Sequence, residues 1–486
     1  MPLPYNDLRD FVKLAQEMGE IKAVNGVHWD REMGAMVEMV VRRKRSLAPA
    51  FLFDRIPGYP EGFRCLFAML NSMKRFALAL GLLDKATNNT MDYLGSYREL
   101  IQKIKPILPR TVDRAPVMEN VWEGNDIDIL RFPAPVVHEH DAGRYIGTAD
   151  GVITSDPETG WINVGTYRMQ VFDKDSTGIY ISPGKHGYLH LQKYAERKEI
   201  CPMVAIVGID PLMWMAARYQ VPLGMSEFDW AGGLKGEPLE VIQGKYTGLP
   251  IPANAEIVLE GEVRPDDHRL EGPFGEWPGY YAGGEQQEPV FRVKRVMFRN
   301  NPILTCTGSN KPPHAHLFER CFIRSAALWE GLEKAGVPNI RGVWVHEAGA
   351  GRTFNVVSIK NSYFGHTRQA GMLATQMAPS AYIGRWVIVV DDDIDPSNLD
   401  EVIWAMGTRC DPAEDVEITR KCWSSRTDPL TPENRYYNTR AMVDACIPYE
   451  KRKDFPRVAE TGPELKKKML ERYSSVFKEI LGGEIF

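Results

Sequence analysis

The sequence predicts a mixed α/β fold, with a strand-rich centre flanked by two units of alternating helices and strands. Three observations carry this. Apolar residues recur at helical spacing before residue 110 and again after residue 314, short β-branched and aromatic runs crowd the stretch from about 150 to 306, and Pro106, Pro109, Pro116, Pro133 and Pro135 punctuate the join between the first two regions. At 486 residues the chain predicts about three domains. The expected boundaries are an α/β unit over 1–110, a strand-rich domain over 111–313, a linking helix over 314–338 and a second α/β unit with a helical tail over 339–486.

Taken in order, Asn6 or Asp7 caps a first helix whose Leu8, Phe11, Val12 and Ala15 share a face. A helix from Arg31 to Arg43, strands at Ala50 to Phe53 and Cys65 to Ala68, and helices at Ser72 to Leu82 and Met91 to Ile104 complete the first unit. Strands are expected at Gly151 to Thr154, Asn163 to Phe172, Gly178 to Ile181, Met203 to Gly208, Ala255 to Val263, Pro289 to Phe298 and Pro302 to Cys306. So many strands with few helices imply a barrel or sandwich. His316 to Ala335 reads as a helix with a broad apolar face. After it, strands at Ile340 to His346, Phe354 to Ile359 and Arg385 to Val390 alternate with helices at His366 to Met377 and Pro396 to Met406, where Asp395 would be the cap. Leu465 to Ile485 has helical periodicity with lysines on one side.

A net charge of −5 gives no footprint of a nucleic-acid binder, and no apolar run approaches the ~18 residues that span a bilayer. The N-terminal residues lack an uninterrupted apolar segment, which argues against a secretory signal. Seven scattered cysteines without a CxxC pair read as reduced thiols of a cytoplasmic protein.

Chemistry is expected around EGPFGEWPGYY, Glu271 to Tyr281. Gly272, Pro273 and Gly275 forbid a regular helix or a central strand, so Glu271 and Glu276 should be presented from irregular backbone. In NVGTYRM, strand alternation puts Asn163, Gly165 and Tyr167 on one side and Arg168 on the other, and a buried Arg168 needs an anion. His186 in SPGKHGYLH and Glu227 in GMSEFDWAGG are read as loop residues. With Asn163 they form an oxygen and nitrogen donor set that suits Mn²⁺ or Mg²⁺, although no local spacing brings the three together. The pairs His138/His140 and His314/His316 are weak metal candidates, and the second pair could instead line a substrate pocket. AGAGR, Ala348 to Arg352, is no dinucleotide loop because a strand, not a helix, follows it.

NVGTYRMQVF, SPGKHGY, SEFDWAGGLKGEPLE, EGPFGEWPGYY and VIVVDDDIDPSNLDEVIWA, in this order, resemble the UbiD family of reversible decarboxylases. The resemblance implies a split β-barrel for the centre and an oligomerisation role for the C-terminal unit, as a homodimer or homohexamer. It implies prenylated FMN, supplied by a partner flavin prenyltransferase, with Mn²⁺ or Mg²⁺ on Asn163, His186 and Glu227 beside K⁺. Arg168, Glu271 and Glu276 would form the catalytic network, with Glu276 as proton donor. Arg385 would stand near the cofactor phosphate, and Ala216, Ala217, Arg218 and Tyr219 fall where the family places small residues and K⁺ ligands. The expected reaction is the reversible, non-oxidative decarboxylation of an aromatic, heteroaromatic or α,β-unsaturated acid to CO₂, in a pocket walled by Trp277, His314, His316 and Phe318. Two other readings remain open: a glycoside hydrolase using Glu271 and Glu276, and a flavin-binding subunit without turnover.

Overall fold

The computed structural model describes residues 3–86, 89–219, 221, 224–431 and 436–481. One compact unit runs from Met1 to Cys446, and a second from Ile447 to Phe486 carries the helices Pro463–Arg472 and Ser474–Leu481. Residues 482–485 of the expected tail helix lie outside the described residues.

Asp7 caps the first helix, Leu8–Glu17, by accepting the backbone N–H of Asp10, and the buried face is Leu8, Phe11, Val12 and Ala15. The strands Ile21–Asn25, Ala50–Asp54 and Arg64–Phe67 form a sheet that Ile303–Cys306 completes by pairing parallel to Arg64–Phe67. Thus the last strand expected in the centre belongs to the N-terminal sheet.

The central sheet has nine strands. Its path runs Tyr145–Gly147, Arg168–Asp173, Ser176–Tyr180, Gln286–Phe298, Ile257–Glu271, Cys201–Ile206, Gly151–Ser155 and Ile162–Gly165, with Asn120–Glu123 paired to Gln286–Phe298. The expected single strand Asn163 to Phe172 is therefore two strands, one at an edge of the sheet and one second from the other edge. Six strand spacings lie between them, roughly 29 Å in a flat sheet at about 4.8 Å each. Only Thr166 and Tyr167 join them, a link that reaches about 10 Å. The sheet must therefore curl until its ends meet, which gives the incomplete barrel expected from the resemblance. Gly165 permits the junction: a Cβ there would stand 2.3 Å from the Tyr167 hydroxyl, so the Tyr167 ring folds back over bare backbone.

Phe132, Ile146, Val152, Met169, Ala205, Leu259 and Phe291 fill the barrel and pack on Phe51, Phe53 and Phe67 of the N-terminal sheet. The linking helix, Leu317–Lys334, buries Phe318 and Phe322 against Phe76 and Tyr93 on one side and Trp344 on the other. Beyond it the strands Ile340–Val345, Phe354–Ile359, Trp386–Asp391, Tyr437–Ala445 and Val416–Trp423 lie in that order in a five-stranded sheet, parallel at its centre. Val387 and Val389 face one apolar cluster while Ile388 and Val390 face another, which is why this strand is a continuous apolar run. The helix after it is Leu399–Arg409, capped by Asn398; Asp395 instead accepts from the N–H and hydroxyl of Ser397, turning the chain before the helix starts.

Candidate active site

The barrel seam opens into a cavity of about 280 Å³, lined by Asn163, Arg168, His186, Glu227, Glu276, Trp277 and His316 among others. Residues from both ends of the sheet reach it because the sheet closes there. Strand alternation had separated Asn163 from Arg168; the break at Thr166 and Tyr167 resets the alternation, and both line the cavity.

Glu271 is the last residue of the long strand Ile257–Glu271, not part of a loop, and it is fully buried. Arg168 forks onto it, donating from Nε to Oε1 at 2.8 Å and from Nη2 to Oε2 at 2.6 Å. The remaining Nη1 donates to Oε1 of Glu276. Tyr145 adds a hydroxyl to Glu271 at 3.1 Å. Burial disfavours charge on Arg168, but Glu276 and then Glu271 more than offset it, so its pKa is raised. Burial lifts the Glu276 carboxyl above the ordinary range; Arg168 opposes this and Glu271 supports it. Behind them Arg426 lies over the Tyr180 ring at 3.9 Å and pairs with Glu288 at 2.5 Å.

Glu276 belongs to the turn after that strand, where its N–H donates to Tyr280 O and its carbonyl accepts from Gly279 N. The turn is tied down by Asp141, whose Oδ1 accepts the Gly275 N–H at 2.9 Å, and by Ala142 N donating to Pro273 O. His138 pairs with that same Asp141 at 3.0 Å, and the His140 N–H donates to the Tyr281 hydroxyl. The first HxH pair therefore serves to anchor the Glu276 turn.

His186 and Glu227 are not loop residues: each is the first residue of a helix, His186–Arg197 and Glu227–Lys235. Ser226 caps the second helix through a reciprocal bond with Asp229. Glu227 accepts the Val164 N–H at 2.7 Å, which ties this helix to the strand bearing Asn163. Burial pushes the Glu227 carboxyl up to about 8, and burial followed by neighbouring Lys185 pushes His186 down. A buried carboxyl, a neutral imidazole and an amide facing one cavity form a hard donor set with no thiolate. Among the described residues no group of three or more His, Cys, Asp or Glu has the arrangement of a metal site; this trio holds only two such residues and an amide.

The other expected residues divide. Trp277 and His316 line the cavity; His314 is buried against His316, with ring centroids 4.3 Å apart, and Phe318 is packed among core aromatics, so neither lines it. Arg385 does not line it either. Its Nη2 lies 2.7 Å from both carboxylate oxygens of buried Asp428. Arg218 pairs with Glu319 at 2.5 Å, while Tyr219 stacks on Trp230 at 4.8 Å.

A group of cations that the sequence reading passed over also lines the cavity: Lys185, Arg320, Arg324 and Arg352. Burial lowers the pKa of each. Among the described residues none of the four has a carboxylate within 4.0 Å. One signal was available: His316, Arg320 and Arg324 recur every four residues on the linking helix, a polar stripe beside the apolar face. Arg352 ends the AGAGR segment set aside as a failed dinucleotide loop.

Three family models match the chain. They are the N-terminal domain of 3-octaprenyl-4-hydroxybenzoate carboxy-lyase over residues 12–104, its Rift-related domain over 110–312 and its C-terminal domain over 319–445. An uncharacterized protein of Archaeoglobus fulgidus is 34% identical, covering 96% of this chain and 98% of its own. The pyrrole-2-carboxylic acid decarboxylase of Pseudomonas aeruginosa is 33% identical, covering 84% of each chain. Among solved structures, the UbiD-class enzyme HmfF of Pelotomaculum thermopropionicum in complex with FMN is 29% identical with a TM-score of 0.82, covering 96% of this chain and 100% of that one. The vanillic acid decarboxylase of Sedimentibacter hydroxybenzoicus in its closed form is 28% identical with a TM-score of 0.85, covering 98% and 99%. Matched along nearly its whole length in sequence and in fold, the chain belongs to the UbiD family.

Proposed function

We propose that this protein catalyses the reversible, non-oxidative decarboxylation of an aromatic or heteroaromatic acid using prenylated FMN. The observation that carries the reading is the Arg168 fork, which holds one carboxylate outside the cavity and one inside it. Loss of CO₂ from an sp² carbon leaves electrons that no side chain can accommodate, and bound prenylated FMN supplies that sink.

The chain's own residues supply binding and proton transfer. Asn163, His186 and Glu227 would hold Mn²⁺ or Mg²⁺ against the cofactor phosphate, beside K⁺, and Lys185 at the start of the His186–Arg197 helix adds positive charge there. The donor set fits a hard cation, and a bound cation offsets the cost of ionising buried Glu227. Arg168 orients the substrate carboxylate while Glu271 fixes its guanidinium plane. Glu276, whose carboxyl burial holds above the ordinary range, would in its acid form donate the proton that replaces CO₂; in the reverse direction the same oxygen would remove it. Trp277 and His316 form the nearby wall. A glycosidase is disfavoured, because both carboxyls must then face the sugar, and Glu271 does not line the cavity.

Co-production with a flavin prenyltransferase should yield coloured protein that retains Mn²⁺ and releases CO₂ from at least one of a panel of benzoates, hydroxybenzoates and pyrrole or furan acids. Colourless, metal-free protein that is nonetheless active would defeat this reading. The C-terminal unit is proposed to mediate assembly as a dimer or hexamer, which sedimentation of the loaded protein distinguishes.

A further inference from the structure

The cavity holds more positive charge than the proposed cofactor and one carboxylate account for. Arg168 is matched by Glu271 and Glu276, and Arg218 by Glu319. A divalent metal on Glu227, with Lys185 nearby, would leave a bound phosphate close to neutral. That leaves Arg320 and Arg352, which flank the Trp277 ring with guanidinium carbons 5.6 and 5.3 Å from its centroid, next to Glu276 in sequence. Both have buried nitrogens without a partner among the described residues, Nη1 of Arg320 and Nε of Arg352. Arg324, one turn beyond Arg320, is partly satisfied by donating to Pro379 O at 2.6 Å.

Arg320 is also oriented. Its Nη2 lies 2.9 Å from Nε2 of His316, and since guanidinium only donates, that nitrogen accepts. His316 is then protonated on Nδ1, which donates to the Thr307 hydroxyl at 2.7 Å. The ring is held neutral by burial first, and by the cations near it. A neutral, oriented imidazole fixes one arm of Arg320, while the other, Nη1, is buried with no hydrogen-bond partner among the described residues. Buried guanidinium groups without counter-charges are costly, and an oxyanion that accepts from two such groups removes the cost.

We infer that Arg320 and Arg352 form a second anion subsite beside Trp277, so that the substrate is an aromatic dicarboxylate: one carboxylate leaves at Arg168 and Glu276, the other is held by this pair. The inference rests on the proposed decarboxylase reading for the first carboxylate. Chemically, the enzyme that supplies such a diacid would oxidise or hydrolyse an aryl side group to a second carboxylate.

The test uses full-length protein co-produced with a flavin prenyltransferase, as wild type, Arg320→Gln and Arg320→Lys. Flavin content is read by absorbance, and binding of benzoate, benzene-1,3-dicarboxylate and benzene-1,4-dicarboxylate by calorimetry. At least one diacid should bind wild type about tenfold or more tightly than benzoate. That advantage should vanish in Arg320→Gln and return in part in Arg320→Lys, with flavin content unchanged in both. The inference is overturned if wild type shows no diacid preference, if the preference survives Arg320→Gln, or if Arg320→Gln loses its flavin, which would assign the cation to the phosphate. Wild type that takes up no flavin but still prefers the diacid would instead sink the decarboxylase reading and leave the subsite standing.

Discussion

The two ends of the cavity solve the same electrostatic problem in opposite ways. At the Arg168 end every buried charge has a partner: a fork on Glu271, a third bond to Glu276, and Arg426 with Glu288 behind. At the Arg320 and Arg352 end the cations touch aromatic rings, a neutral imidazole and backbone, and no carboxylate among the described residues. A matched network is held in its geometry before substrate arrives, as catalysis requires. An unmatched one is a demand for a ligand. On the proposed reading, the difference separates the part of the site that performs the reaction from the part that selects what enters.

The comparison breaks most severely at Arg168. Arg168→Met leaves Glu276 buried without its cation and Glu271 with only Arg426 Nη2 at 3.9 Å, and should cost about 3–5 kcal/mol of stability, together with all turnover; denaturant unfolding and CO₂ release measure the two losses. If stability is unchanged, the fork is not the element that holds this end together. Next in size, His186→Ala should lower the flavin-to-protein ratio by about tenfold or more while leaving the fold intact, read by absorbance and circular dichroism.

At the unmatched end the sign reverses. Arg352→Gln should leave the ligand-free protein as stable as wild type or up to about 1 kcal/mol more stable, because it removes an uncompensated buried cation. Added sulfate should raise the melting temperature of wild type more than that of the variant. A melting temperature that drops as it does for Arg168→Met would erase the distinction between the two ends.

The smallest effect is a pH slope. Burial raises the Glu276 carboxyl in the folded chain above its unfolded value, so the folded state binds the proton more tightly. Its contribution to stability is complete below the unfolded carboxylate range and is lost as pH rises through the folded pKa. Between those limits wild type should lose stability with rising pH relative to Glu276→Gln, as denaturant titrations at several pH values would show. Turnover should fall in the same direction, since the acid form supplies the proton.

Much of this was legible in the chain. Most of the helices and strands that were expected in the two flanking units came out within a few residues because capping residues and apolar periods are local signals: Asp7 and its apolar face in the first helix, VIVV in the C-terminal sheet. Glu271 and Glu276 were legible because Gly272, Pro273 and Gly275 mark their segment, and Arg168 because an arginine on a buried strand needs an anion. What was not legible depended on closure of the barrel. Treating Asn163 to Phe172 as one strand hid the seam, because nothing local says that Thr166 and Tyr167 bridge two ends of a sheet. Lys185, Arg320, Arg324 and Arg352 come from three distant segments, and a charged residue reads as solvated until the fold encloses it. Arg385 carried the right charge, but Asp428 had already claimed it.

The central claim is that Glu276 moves the proton in a site whose geometry Arg168 holds. Its most direct test is deuterium exchange into a product arene in D₂O, with flavin-loaded wild type and Glu276→Gln compared at equal flavin content. Wild type should exchange the hydrogen that replaces CO₂, and Glu276→Gln should retain flavin yet slow exchange by about 10²–10⁴-fold. Exchange at the wild-type rate in Glu276→Gln would contradict the account.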